Sequence, residues 1–143
     1  MKQKLNCILL IDDDKDTNYF NKYLLTKLNV AEKIQVSTSG QEALDFLSNG
    51  GSFLNNSNTF PVPMLIFLDL NMPVMNGWEF IEEYHKLPAE MKGKIVLIML
   101  TSSPNPDDVQ KSKTMEDLNG FVKKPLNEEM LRAILKDYFP ELV

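Results

Sequence analysis

The sequence predicts an α/β fold: a (βα)5 doubly wound parallel sheet of five strands with helices on both faces. Five short apolar runs recur along the chain, each followed by a polar or amphipathic segment. Three of these runs are apolar throughout, which suits strands covered on both faces rather than on one. Acids, a hydroxyl and an amine stand just where the runs end, the edge on which open α/β sheets carry their sites.

The elements follow in order. CILLI (7–11) is the first strand, and Phe20, Tyr23, Leu24 and Leu28 form the apolar stripe of the helix behind it. KIQVST (33–38) is mixed in polarity and reads as a strand from its place in the alternation, with Ala43, Leu44 and Leu47 marking the second helix. SNGGSFLNNSNTFPVP (48–63) is rich in Asn, Gly, Ser and Pro and reads as an extended loop within the domain. MLIFLD (64–69) is the third strand, and Trp78, Ile81, Tyr84 and His85 line the third helix. KIVLIML (94–100) is the fourth. Asn105-Pro106-Asp107-Asp108 then opens a helix as an N-cap, a proline at the first helical position and first-turn acids. Val109, Met115 and Leu118 give that helix only a thin apolar spacing. GFVKK (120–124) is a short fifth strand. The last helix opens at Asn127 with Glu128 and Glu129 and carries Leu131, Ile134, Leu135 and Tyr138. The sum is a flavodoxin-like sheet, expected as one domain over residues 1–143 with the loop 48–63 inside it.

Composition narrows the function. A formal net charge of −5 argues against electrostatic binding to nucleic acid or an anionic membrane. The chain's one cysteine, Cys7, sits in an apolar run and reads as a core residue; no intramolecular disulfide can form. No apolar run approaches the ~20 residues of a membrane span, and the start of the chain does not suit a secretory signal. A cytoplasmic protein is expected.

The chemistry gathers at the strand ends: Asp12, Asp13 and Asp14 after the first strand, Asp69 closing the third, Thr101 after the fourth, Lys124-Pro125 after the fifth. Asp14 or Asp16 suits a cap of the first helix. Asp69 is harder to explain that way, since LNMP follows it and no helix begins at once. Like charges ~4 Å apart repel by about 4 kcal/mol at an effective dielectric of 20, so a carboxylate cluster here calls for a cation. Oxygen ligands without His or Cys favour Mg²⁺, with Mn²⁺ as a substitute, over zinc. Beside Lys124 and Thr101, such an edge suits a phosphoryl group in transfer. His85 lies on a helical segment and is read as a core or surface residue.

LLIDDD, LIFLDLNMPVMNG, VLIMLTSS and GFVKKPL, in this order and spacing, resemble the receiver domain of two-component response regulators, most closely the single-domain, chemotaxis-regulator-like type. The resemblance spans nearly the whole chain. It implies that Asp69 is the phosphoacceptor, taking a phosphoryl group from a histidine kinase or histidine phosphotransfer protein. It implies Mg²⁺ bound directly by Asp13, Asp69 and the backbone carbonyl of Asn71, with Asp12 acting directly or through water. It makes Thr101 and Phe121 a switch pair, Phe121 being otherwise a plain core aromatic. It pairs Lys124 with the phosphoryl oxygens across a cis Lys124-Pro125 bond, and Lys124 is preferred to Lys123 because strand alternation sends Lys123 to the other side. Output is read on the face of the fourth helix, fifth strand and fifth helix, by a protein target. Asn71 and Ser103 occupy positions that tune dephosphorylation; being small and polar, they predict a phosphate that hydrolyses without a dedicated phosphatase. The protein is thus expected to be a signalling phosphoacceptor rather than a turnover enzyme, with no output domain after the last helix.

Two rivals fit less. LLIDDDKDT also matches hhhDxDxxT, the nucleophile motif of haloacid-dehalogenase-like phosphatases, with Asp12 as nucleophile and Asp14 as acid/base. That reading leaves DLNMPVMNG unexplained. A pseudo-receiver, binding partners without phosphorylation, leaves the complete acid set unexplained.

Overall fold

A computed structural model describes residues 4–48, 62–92 and 95–142. Five strands, β1 (Leu5–Ile11), β2 (Ala31–Ser37), β3 (Leu65–Asp69), β4 (Val96–Thr101) and β5 (Gly120–Lys123), form one parallel sheet in the order β2-β1-β3-β4-β5. Helices α1 (Lys15–Leu28), α2 (Gly40–Ser48), α3 (Gly77–His85), α5 (Pro106–Ser112) and α6 (Glu128–Tyr138) follow the strands. A single turn, α4 (Ala89–Lys92), lies between α3 and β4, and a 3₁₀ turn (Pro140–Leu142) follows α6. The expected fold class is the one formed. The expected loop lies largely outside the described residues.

The sheet separates two apolar cores. Cys7, Leu9, Ile11, Ile66 and Leu68 face α2 and α3, where they meet Ala43, Phe46, Phe80 and Ile81. On the other side Ile8, Leu10, Leu65 and Phe67 pack with Leu25 of α1 and Leu131 and Leu135 of α6. Every residue of β3 is buried, as expected of a central strand with helices on both faces.

Local chemistry sets the helix ends. Asp14 caps α1, accepting from Asp16 N at 3.1 Å and Thr17 Oγ1 at 2.8 Å, so of the two acids Asp14 is the cap. Asn29 ends α1 in the left-handed region at φ 56°, which Asn tolerates. Asn76 and Glu79 close a capping box on α3, at 2.9 and 3.0 Å. Asn105 and Asn127 cap α5 and α6 as expected.

Three readings of the apolar pattern need correction. Phe20 and Tyr23 are 50% and 59% exposed; the inward line of α1 is Asn18, Asn21, Leu24 and Leu25. This line crosses the polar end of the sheet, where the Asn18 amide donates to the Asp12 carbonyl at 2.7 Å, so two amides take places that hydropathy assigns to aromatics. Met115 and Leu118 do not extend α5, which ends at Ser112; they lie beyond it and pack against the α2/α3 core. His85 ends α3 on its outer side, its Nδ1 2.7 Å from Asp117 Oδ2.

Candidate functional site

The order β2-β1-β3 places the switch point of the sheet between β1 and β3, where the crossovers leave in opposite directions. Ile11 registers with Leu68, so one step further along both strands Asp12 comes level with Asp69. β5 adds Lys124 just past its end, its N–H donating to the Thr101 carbonyl at 2.8 Å. Four strand ends thus deliver Asp12, Asp13, Asp69, Thr101 and Lys124 to one edge.

The lysine joins the two buried acids. Lys124 Nζ lies 2.6 Å from Asp12 Oδ2 and 3.0 Å from Asp69 Oδ1. Asp12 and Asp69 are 4% and 6% exposed, whereas Asp13 faces solvent. Carboxylate oxygens of Asp12, Asp13 and Asp69 all come within 4.8 Å of one another. That spacing and an all-oxygen donor set fit a hard divalent cation. Asp12 Oδ1 also accepts from the Asp14 backbone N–H at 2.9 Å, which fixes the turn carrying the acids.

Electrostatics follow from burial. Desolvation pushes the Asp69 carboxyl up to about 6, the Asp12 charge adding to the rise and the Lys124 ammonium opposing it. Burial disfavours the Lys124 charge, but hydrogen bonds to Asp12 and Asp69 outweigh it and hold the ammonium above its ordinary value. The Lys124 ammonium alone does not neutralise the site: it pairs with Asp12 and Asp69, and Asp13 adds a third carboxylate beside them.

Thr101 is fully buried at the end of β4, its Oγ1 accepting from the Ser103 N–H at 3.3 Å. Phe121 is half-buried and stacks on Trp78, ring centroids 6.3 Å apart and planes 6° from parallel. Thr101 and Phe121 therefore stand on neighbouring strands. Asn71 and Ser103 are exposed at the rim, and the Asn71 backbone N–H bonds to the Asp69 carboxylate. Lys123 is exposed and pairs in register with Thr101. The Lys124-Pro125 peptide is cis.

The loop after β3 brings its backbone close behind Asp69. A Cβ at Gly77 would stand 3.0 Å from the Asp69 carbonyl oxygen and 2.9 Å from Leu70 Cα, so only glycine fits there. Val74 makes the turn at φ 66° and is fully exposed, a strained place for a β-branched residue.

Residues 8–136 match the profile of the response regulator receiver domain. A curated relative, the response regulator Rcp1 of Synechocystis, is 32% identical over 92% of this chain and 80% of its own length. A two-component response regulator from Cytophaga hutchinsonii superposes with a TM-score of 0.81 at 30% identity, covering 96% of this chain and 99% of that one. The phosphorylated cyanobacterial phytochrome response regulator RcpA gives a TM-score of 0.73 at 26% identity, with 93% of each chain covered. The profile match, the relatives and the acid-lined strand edge agree, and the chain belongs to the response regulator receiver domains, the phosphoacceptor modules of two-component signalling.

Proposed function

We propose that Asp69 receives the phosphoryl group and that the full chain, 1–143, acts as a single receiver domain. The observation that supports this most is the Lys124 ammonium held between Asp12 and Asp69, at 2.6 and 3.0 Å. An Asp69 oxygen attacks phosphorus while the bond from phosphorus to the donor nitrogen breaks, leaving an acyl phosphate on the protein. The donor is a histidine kinase or histidine phosphotransfer protein. Mg²⁺ would be held by Asp13, Asp69 and the Asn71 carbonyl, with Asp12 binding directly or through water, and would supply charge neutralisation for the transferring group. Lys124 shifts from Asp69 to the incoming phosphoryl oxygens, and the Thr101 hydroxyl donates to them. The added charge of about −1.5 to −2 draws Thr101 over, and Phe121 turns into the space it leaves. A protein target reads the result on the face of α5, β5 and α6. Asn71 and Ser103 leave the rim open to water, so the phosphate hydrolyses without a dedicated phosphatase. We place this action in the cytoplasm; among the described residues no helix is long and apolar enough to cross a membrane.

Incubation with acetyl phosphate or phosphoramidate and Mg²⁺, followed by intact-mass measurement, tests the reading. Wild type gains one phosphoryl mass and Asp69→Ala gains none; omission of Mg²⁺ abolishes the gain. No gain in wild type with either donor favours a binding module without phosphorylation. A gain kept by Asp69→Asn and lost by Asp12→Asn moves the nucleophile to Asp12.

A further inference from the structure

Helix α5 buries no residue, yet two of its side chains converge on one indole. Trp78 Nε1 donates to Asp108 Oδ1 at 3.3 Å. Lys111 Nζ sits 5.1 Å from the centroid of the same ring. Asp108 and Lys111 are three residues apart and so share a helix face; this is the face α5 turns to the body of the domain. The indole is itself 8% exposed, rooted in the α2/α3 core. It follows Gly77, whose backbone lies against that of Asp69, and it stacks on Phe121.

We propose that Trp78 is a positioning residue that ties α5 to the ring of Phe121, so that the state of the phosphoacceptor pocket sets how firmly α5 is held. The proposal rests on the roles given above to Asp69 and Phe121. The Phe121 ring is not packed on every side, since it borders a cavity of about 270 Å³ with Met115 and Leu118; the space it turns into is the one Thr101 leaves. When its ring leaves the stack, the indole loses the neighbour that fixes its plane. The hydrogen bond to Asp108 and the cation–π contact to Lys111 both depend on that plane. They weaken together, and α5, with no buried side chain to retain it, loosens from the domain.

Millisecond hydrogen exchange of the backbone amides of 105–113, read beside intact mass, tests this on the full chain. In wild type, phosphorylation by acetyl phosphate with Mg²⁺ speeds exchange in α5 at least fivefold. In Trp78→Leu the segment exchanges about tenfold faster than wild type before any donor is added, and phosphorylation changes it less than twofold while the mass gain persists. The double variant Asp108→Ala/Lys111→Ala, which leaves the core intact, behaves in the same way and serves if Trp78→Leu does not fold. Wild-type exchange in either variant, or an undiminished response to phosphorylation, overturns the proposal. If wild type gains no mass, the phosphoacceptor reading fails; the unphosphorylated comparison still decides whether Trp78 holds α5.

Discussion

Helices α5 and α6 begin alike and are held differently. Each opens with an asparagine that accepts a backbone N–H three residues on at 2.8 Å, and each carries two acids in its first turn. α6 then buries Leu131, Ile134 and Leu135, while α5 buries nothing. A cap fixes where a helix starts; an apolar face fixes whether it stays, since most helical stability in proteins comes from tertiary packing. α6 therefore unfolds with the whole domain, and α5 can open by itself.

The largest effects should separate the two helices most plainly. Leu131 is fully buried, so Leu131→Ala should cost about 2–5 kcal/mol in urea unfolding. Val109→Ala, at a position 38% exposed on α5, should stay within about 0.5 kcal/mol. Equal costs would break the comparison.

The strand edge gives the next effect, with an opposite sign. The Asp69 carboxyl stands at about 6, above its unfolded value of 3.8, so the folded state binds this proton more tightly. Its ionisation costs stability above pH ~7, and the cost disappears as pH falls below ~4. At ~1.4 kcal/mol per unit, the shift corresponds to about 2–3 kcal/mol. Without divalent cations, wild type should gain about 2 kcal/mol of this relative to Asp69→Asn between pH 7.5 and 4.5. Lys124 keeps its shorter contact to Asp12 in the variant. Added Mg²⁺ should stabilise wild type more at pH 7.5 than at pH 5, checked by thermal melts at both values.

The caps sharpen the contrast at a smaller scale. Asn127→Ala should lower global stability by about 1 kcal/mol. Asn105→Ala, with the same cap geometry, should leave the urea midpoint nearly unmoved and instead speed exchange within 106–112. Smallest of all is the exposed pair of Arg132 and Glu128 on α6, 2.9 Å apart. A double-mutant cycle should give no more than about 0.5 kcal/mol.

The same contrast explains what the sequence made legible. Strands β1, β3 and β4 are visible because burial on both faces leaves an unbroken apolar run. The acid edge is visible because strand ends must place their next residues there, so Asp12, Asp69 and Lys124 could be brought together without coordinates. Alternation also separated Lys124 from Lys123. The inward face of α1 was not visible: Asn18 and Asn21 are 3% and 4% exposed, and buried amides look like surface residues until their partners are placed. Trp78 read as an ordinary core residue of α3. Its bond to Asp108 spans 30 positions, and helical periodicity carries no signal over that range. Helix α5 gave only its cap because it has no apolar face to display.

Cys7 carries a practical consequence. It is fully buried in β1, and desolvation pushes its thiol up to about 11, so almost no thiolate forms near neutral pH. As the chain's one cysteine, it leaves the native surface silent toward maleimides and iodoacetamide. A cysteine introduced at Val109 would react alone, and a spin label or fluorophore there would report the motion of α5 without removing any residue from the core.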